Sequence, residues 1–240
     1  MNGQWPRGKR LGLAAALTTV VTIDVLAGGP LRGLDHAVHR FTAQDVQGAW
    51  KQAADLVRLL GQRWMLVQVL VPLAVIAAVR ARSLRPPVVT ALIVVGLSEL
   101  EVLAKSIIPR TFPSSGRDVL HAGGTAYPSG HTLNGFLLVW TALELAVIAF
   151  PGLVASGRLT ARRRLVVASV AGVVTGVALT LAGVHWLTDV LASLGLGIIL
   201  LELLAVADPF RTRAAERAAP PAIRAGGRRS MILPDLRRKL

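Results

Sequence analysis

No cysteine occurs among the 240 residues, which excludes both a disulfide framework and a thiolate metal site. Charge is scarce as well. Only 17% of the residues are charged against 53% hydrophobic, and the mean hydropathy of +0.56 lies above that of an ordinary water-soluble domain. Acids are the rarer sign, 13 against 27 lysines and arginines, leaving a net charge of +14. A nucleic-acid partner would need that charge gathered on a soluble face. Here it is scattered between apolar runs, so nucleic acid is set aside and the charge is read as membrane topology. There is no internal repeat. The first apolar run lacks a convincing small-residue cleavage site, so it is expected to stay as a helix and not to be removed as a signal peptide.

What the sequence does hold is six apolar runs, at roughly 11–29, 64–79, 87–108, 131–151, 165–184 and 187–207, near the ~20 residues that cross a hydrocarbon core. Cytoplasmic flanks of such spans are enriched in lysine and arginine. With the N-terminus inside, 19 of the 27 basic residues fall on the inner side: Arg7, Lys9 and Arg10, then Arg80, Arg82 and Arg85, then Arg158 and Arg162 to Arg164, then nine after residue 208. Both termini are therefore expected in the cytoplasm of a multi-pass inner-membrane protein. Between the first two runs, Leu34, Val38, Phe41, Val46, Trp50, Ala53 and Val57 recur at mostly helical spacing with charges between them. That pattern predicts one amphipathic helix over 34–60 on the outer surface. The fold class is thus all-α: a six-transmembrane-helix bundle over residues 1–208 with a surface helix, followed by a basic tail over 209–240 drawn to anionic membrane lipids. Nothing in the sequence specifies an oligomeric state.

All five histidines, His36, His39, His121, His131 and His185, fall on the predicted outer side. Between the third and fourth runs lies a loop, about 105–131, rich in Gly, Pro, Ser and basic residues. Ser129, Gly130 and His131 open a helix there, and the unpaired N–H groups and dipole of a helix start favour an anion. Gly130 permits close backbone approach, while Lys105 and Arg110 bring positive charge, the arginine in a bidentate fork. Further on, His185 precedes Asp189 by four residues, so on a helix both share a face and the carboxylate can orient the imidazole.

These motifs resemble the type 2 phosphatidic acid phosphatase family, membrane relatives of the vanadium haloperoxidases and of soluble bacterial acid phosphatases. That family carries K-x6-R-P, then P-S-G-H, then S-R-x5-H-x3-D. Pro128-Ser129-Gly130-His131 matches the middle motif in full, His185 with Asp189 matches the end of the third, and Lys105 and Pro113 match the ends of the first. The resemblance implies a lipid phosphate substrate and no metal or other cofactor. It further implies that His185 attacks phosphorus to give a phosphohistidine, Asp189 holds its ring, and His131 protonates the leaving oxygen. Lys105, Ser129 and the Gly130 amide would stabilise the phosphoryl oxygens.

Two of the three motifs depart from the pattern. Phe112 stands where the first motif has arginine, and Ala178-Leu179 stands where the third has Ser-Arg. Arg110 coincides with a basic residue often seen in the family's first motif, and Arg117 lies in the same loop. Either is expected to substitute, with the Arg110 guanidinium in salt-bridge range of a phosphate held against His185. The expected activity is hydrolysis of a lipid phosphate or diphosphate. Transfer of the same group to an acceptor alcohol is the alternative within that chemistry, and the lost arginines favour an inactive lipid-phosphate-binding relative. A transporter would instead rest on the intramembrane acids Glu99 and Glu101. His36 and His39 are expected to be plain surface residues, and Gly172, Gly176 and Gly183 to permit close helix packing.

Overall fold

A computed structural model describes residues 6–211; the remainder of the predicted basic tail lies outside the described residues. Six long helices are apolar enough to cross a membrane: α1 (Arg7–Ala27), α4 (Arg63–Ala81), α5 (Arg85–Ile107), α6 (Gly130–Ala149), α8 (Ala161–Leu181) and α9 (Leu187–Ala207). They fall on the six expected runs, and no strand is present among the described residues. The shorter helices are α2 (Pro30–Asp45), α3 (Gly48–Val57) and α7 (Gly152–Ala155), with single 3-10 turns at Arg58–Gly61 and Pro113–Ser115.

The predicted single helix over 34–60 is corrected to two. The chain breaks at Val46 and Gln47, whose backbones leave the helical region, and Gly48 adopts a φ of 58°. Periodicity carries through the break because both pieces keep an apolar side outward: Leu34, Phe41 and Trp50 are exposed, while Asp35, Thr42 and Ala54 are buried.

The centre of the bundle is α6, which packs against α4, α8 and α9 and buries Leu133, Phe136, Leu137 and Leu138. Glycines set how closely its neighbours approach. A Cβ at Gly172 would lie 2.1 Å from Phe136 Cδ2, and one at Gly176 would lie 2.6 Å from Val190 Cγ1. These two glycines are the expected packing positions. Gly183 is not; it ends the α8 region at a φ of 68°, with only the His39 ring near its Cβ position.

The intramembrane acids are mostly paired between helices. At the end of the bundle that carries the helix N-terminus of α1, Glu202 takes Arg7 at 3.0 Å and Arg10 at 2.8 Å, and Glu144 takes Arg164 at 2.7 Å. Pairing of this kind offsets the cost of a carboxylate in hydrocarbon. The alternation of six spans gathers the end of α1, the start of α4, the end of α5, the start of α6, and the α8–α9 junction at the opposite end. The helices α2 and α3 and the loop 108–129 close over that end.

Candidate active site

At the start of α9, the side chain of Asp189 folds back to accept the Trp186 backbone N–H at 3.1 Å, capping its own helix. The same oxygen, Oδ2, faces His185 Nδ1 at 3.4 Å. The other oxygen, Oδ1, accepts from Arg110 Nη1 at 2.8 Å. The His185 ring is thereby held by one edge, and its Nε2 lies on the edge away from the carboxylate. Across from it is His131, with ring centroids 6.5 Å apart. The His131 Nε2 is hydrogen-bonded to Gln62 Oε1.

Arg110 is placed differently from expectation. Its side chain is wholly buried, and all five N–H donors are spent: Nε and Nη2 on Asp118 at 2.7 Å each, Nη2 also on Asp35 at 2.6 Å, and Nη1 on Thr188 at 2.6 Å and Asp189 at 2.8 Å. Its guanidinium also lies 5.4 Å from the Trp186 ring centroid. No donor remains for a phosphate, so the expected phosphate-binding role is corrected: Arg110 stands behind Asp189 and not in front of His185. The sequence signal was right about the charge and silent about its partners. Asp35 reaches this network from α2 and also accepts the Thr188 backbone N–H at 2.8 Å, so a carboxylate from a distant helix caps the start of α9.

Charge regulation follows from this burial. Desolvation alone would lower the Arg110 value, but its hydrogen bonds to Asp118 and the nearby Asp189 and Asp35 charges hold it above the usual arginine range. Desolvation pushes the Asp35 carboxyl up despite its bonds to Thr188 and Arg110. Burial would also raise Asp118, yet the hydrogen bonds from Arg110 and Arg32 outweigh it and hold Asp118 below its ordinary value of 3.8. A group with a depressed folded value contributes stability that is fully present above the unfolded value and lost as pH falls through the folded one. The thermal midpoint in detergent should therefore drop as pH falls below 3.8, and Asp118→Asn should flatten that slope. A slope unchanged in the variant would refute the assignment.

The other predicted residues divide. Lys105, Gly130 and His131 line one cleft of about 570 Å³ together with Gln62, Arg63, Trp64, Val67, Glu101 and Asn134, a size suited to a small ligand headgroup. Ser129 does not line it. Fully buried, Ser129 is the N-cap of α6: its Oγ accepts from Thr132 N at 3.4 Å, and its backbone N–H donates to Ser193 Oγ at 2.8 Å. Its expected phosphate contact is thus replaced by a structural one. Arg117 is exposed on the turn after Pro113–Ser115, where its carbonyl accepts from Ser115 Oγ at 2.9 Å; it is not among the cleft residues. Phe112 meets the His185 ring edge-on at 5.4 Å, and Leu179 is completely buried. Both positions where the motif arginines are missing are therefore filled by apolar packing. His36 and His39 are more than surface residues, since they flank Trp186 at 5.3 and 5.5 Å. Sequence reasoning missed Gln62, Arg63 and Asn134 altogether; an arginine at the very start of an apolar run was the one available signal for Arg63. Glu101 was noticed only as an intramembrane acid.

With the geometry in view, comparison with known proteins gives three results. The sequence profile of the PAP2 superfamily matches residues 88–213. The fold is similar to that of a transmembrane PAP2 type phosphatidylglycerolphosphate phosphatase from Bacillus subtilis, at a TM-score of 0.67 and 21% identity, covering 83% of this chain and 98% of that one. Comparison with curated proteins gives no match.

Proposed function

This multi-span membrane chain belongs to the PAP2 superfamily, and from that premise we propose that it is a lipid phosphatase working through His185 on the extracytoplasmic side of the inner membrane, with both termini in the cytoplasm. The observation that carries the reading is the relay from Arg110 to Asp189 to His185, facing His131 beside a cleft lined by Lys105. In this reading His185 Nε2 attacks phosphorus while the bond from phosphorus to the lipid oxygen breaks. His131 gives its proton to that oxygen, and the lipid alcohol leaves, or the lipid monophosphate when the substrate is a diphosphate. Water then attacks the phosphohistidine, losing its proton to His131 and releasing inorganic phosphate. The cluster around Asp189 holds three carboxylates against Arg110 and Arg32, so with all five groups ionised it carries one excess negative charge. That excess supports the positive charge that develops on the His185 ring.

The substrate is a lipid phosphate or diphosphate, of the polyprenyl, phosphatidic acid or phosphatidylglycerol phosphate type. Purified protein in detergent with a chelator should release inorganic phosphate from at least one member of such a panel. Failure on every lipid would overturn the phosphatase reading, and exchange of labelled alcohol into product would redirect it to phosphotransfer.

A further inference from the structure

The cleft beside His131 has more cationic character than the motifs supply. Lys105 is the motif cation that lines it, and Arg63, which belongs to no motif, lines the same space. Arg110 is consumed by its own network, and positions 112 and 179 are apolar. A phosphate dianion resting against Lys105 alone would keep an unbalanced charge in a half-enclosed site, and Arg63 is the second cation on that wall.

Arg63 is also pre-oriented. Its Nη1 donates to Ser98 Oγ at 2.8 Å and its Nε to Asn134 Oδ1 at 3.4 Å, while Asn134 is in turn tied to the Gly61 carbonyl at 2.9 Å. Its remaining partner is Glu101, to which Nη2 is paired. Lys105 Nζ lies 3.8 Å from the other oxygen of the same carboxylate. That carboxylate is pressed against the start of α6 so closely that a Cβ at Gly130 would lie 2.3 Å from Glu101 Oε2. Glu101 thus holds the place an anion would take: between two cations, against a helix N-terminus.

We propose that Arg63 is a phosphate-binding residue acting with Lys105, and that Glu101 is an internal anion which the substrate phosphate displaces. The inference rests on the phosphatase reading for its substrate. Its chemistry favours dianionic phosphate monoesters over phosphodiesters, because a ligand of one negative charge only replaces the charge that Glu101 already provides.

Binding of inorganic phosphate to the purified full chain in detergent, followed by calorimetry, tests the site apart from turnover. Arg63→Gln should weaken binding about tenfold or more, the loss of one charged hydrogen-bonding partner. Arg63→Lys should restore most of it. Glu101→Gln, which keeps the shape and removes the competing charge, should tighten binding by a similar factor, and thermal melts of each variant report folding. Opposite signs for Arg63→Gln and Glu101→Gln are the signature. Weakening by both, or by neither, would overturn the proposal, as would a wild-type chain that binds no phosphate. Binding that follows the expected pattern in a protein that hydrolyses no lipid keeps the site and overturns only the phosphatase reading.

Discussion

Replacing His185 by alanine is expected to bring phosphate release down to background, and Asp189→Asn to lower kcat by roughly 10³ to 10⁴-fold, the scale seen when the carboxylate behind a catalytic histidine is made neutral. The two variants probe different things. His185→Ala removes the nitrogen proposed to attack phosphorus, so in that reading no phosphohistidine can form. Asn at 189 keeps the side chain's shape and can still accept the Trp186 N–H that Asp189 now caps. It removes the negative charge facing His185 Nδ1 at 3.4 Å. Its effect should therefore fall on kcat with little change in KM, because the charge matters most when the ring becomes positive. Turnover undiminished in His185→Ala would remove His185 from the mechanism, and turnover undiminished in Asp189→Asn would remove the support by Asp189.

The second large effect is on stability. Arg110→Met should leave Asp35 and Asp189 with no arginine partner and Asp118 with Arg32 alone, the three side chains being 0%, 0% and 1% exposed. Breaking one partner out of a buried ionic group costs on the order of 3–5 kcal/mol, enough to lower the melting temperature in detergent by many degrees or to prevent purification. Arg110→Lys should rescue little, since an ammonium has three donors at a single point and the guanidinium here feeds five bonds in a fork. Adding Asp35→Asn to Arg110→Met should recover part of the loss by removing one unpaired charge. An Arg110→Met protein that melts like the wild type would show that the network contributes nothing to holding α2 on α9.

The sequence alone determined the six spans, because transfer into hydrocarbon sums over consecutive residues. It also showed the start of α6 around Gly130 and the i, i+4 pairing of His185 with Asp189, both of which depend on neighbours within one helical turn. The motif at 128–131 with His185 and Asp189 pointed to the family before any fold was known. What only the tertiary structure decided were pairings of charge across distance in the chain. Arg110 was legible as a cation, but its choice of Asp35, 75 residues away, and Asp189, 79 residues away, is settled by which helices meet at the His185 end of the bundle. Arg63 and Glu101, 38 residues apart, are brought onto one wall in the same way. A cation attracts any carboxylate the fold brings near it, so its role follows from helix packing and cannot be read from its place in a motif.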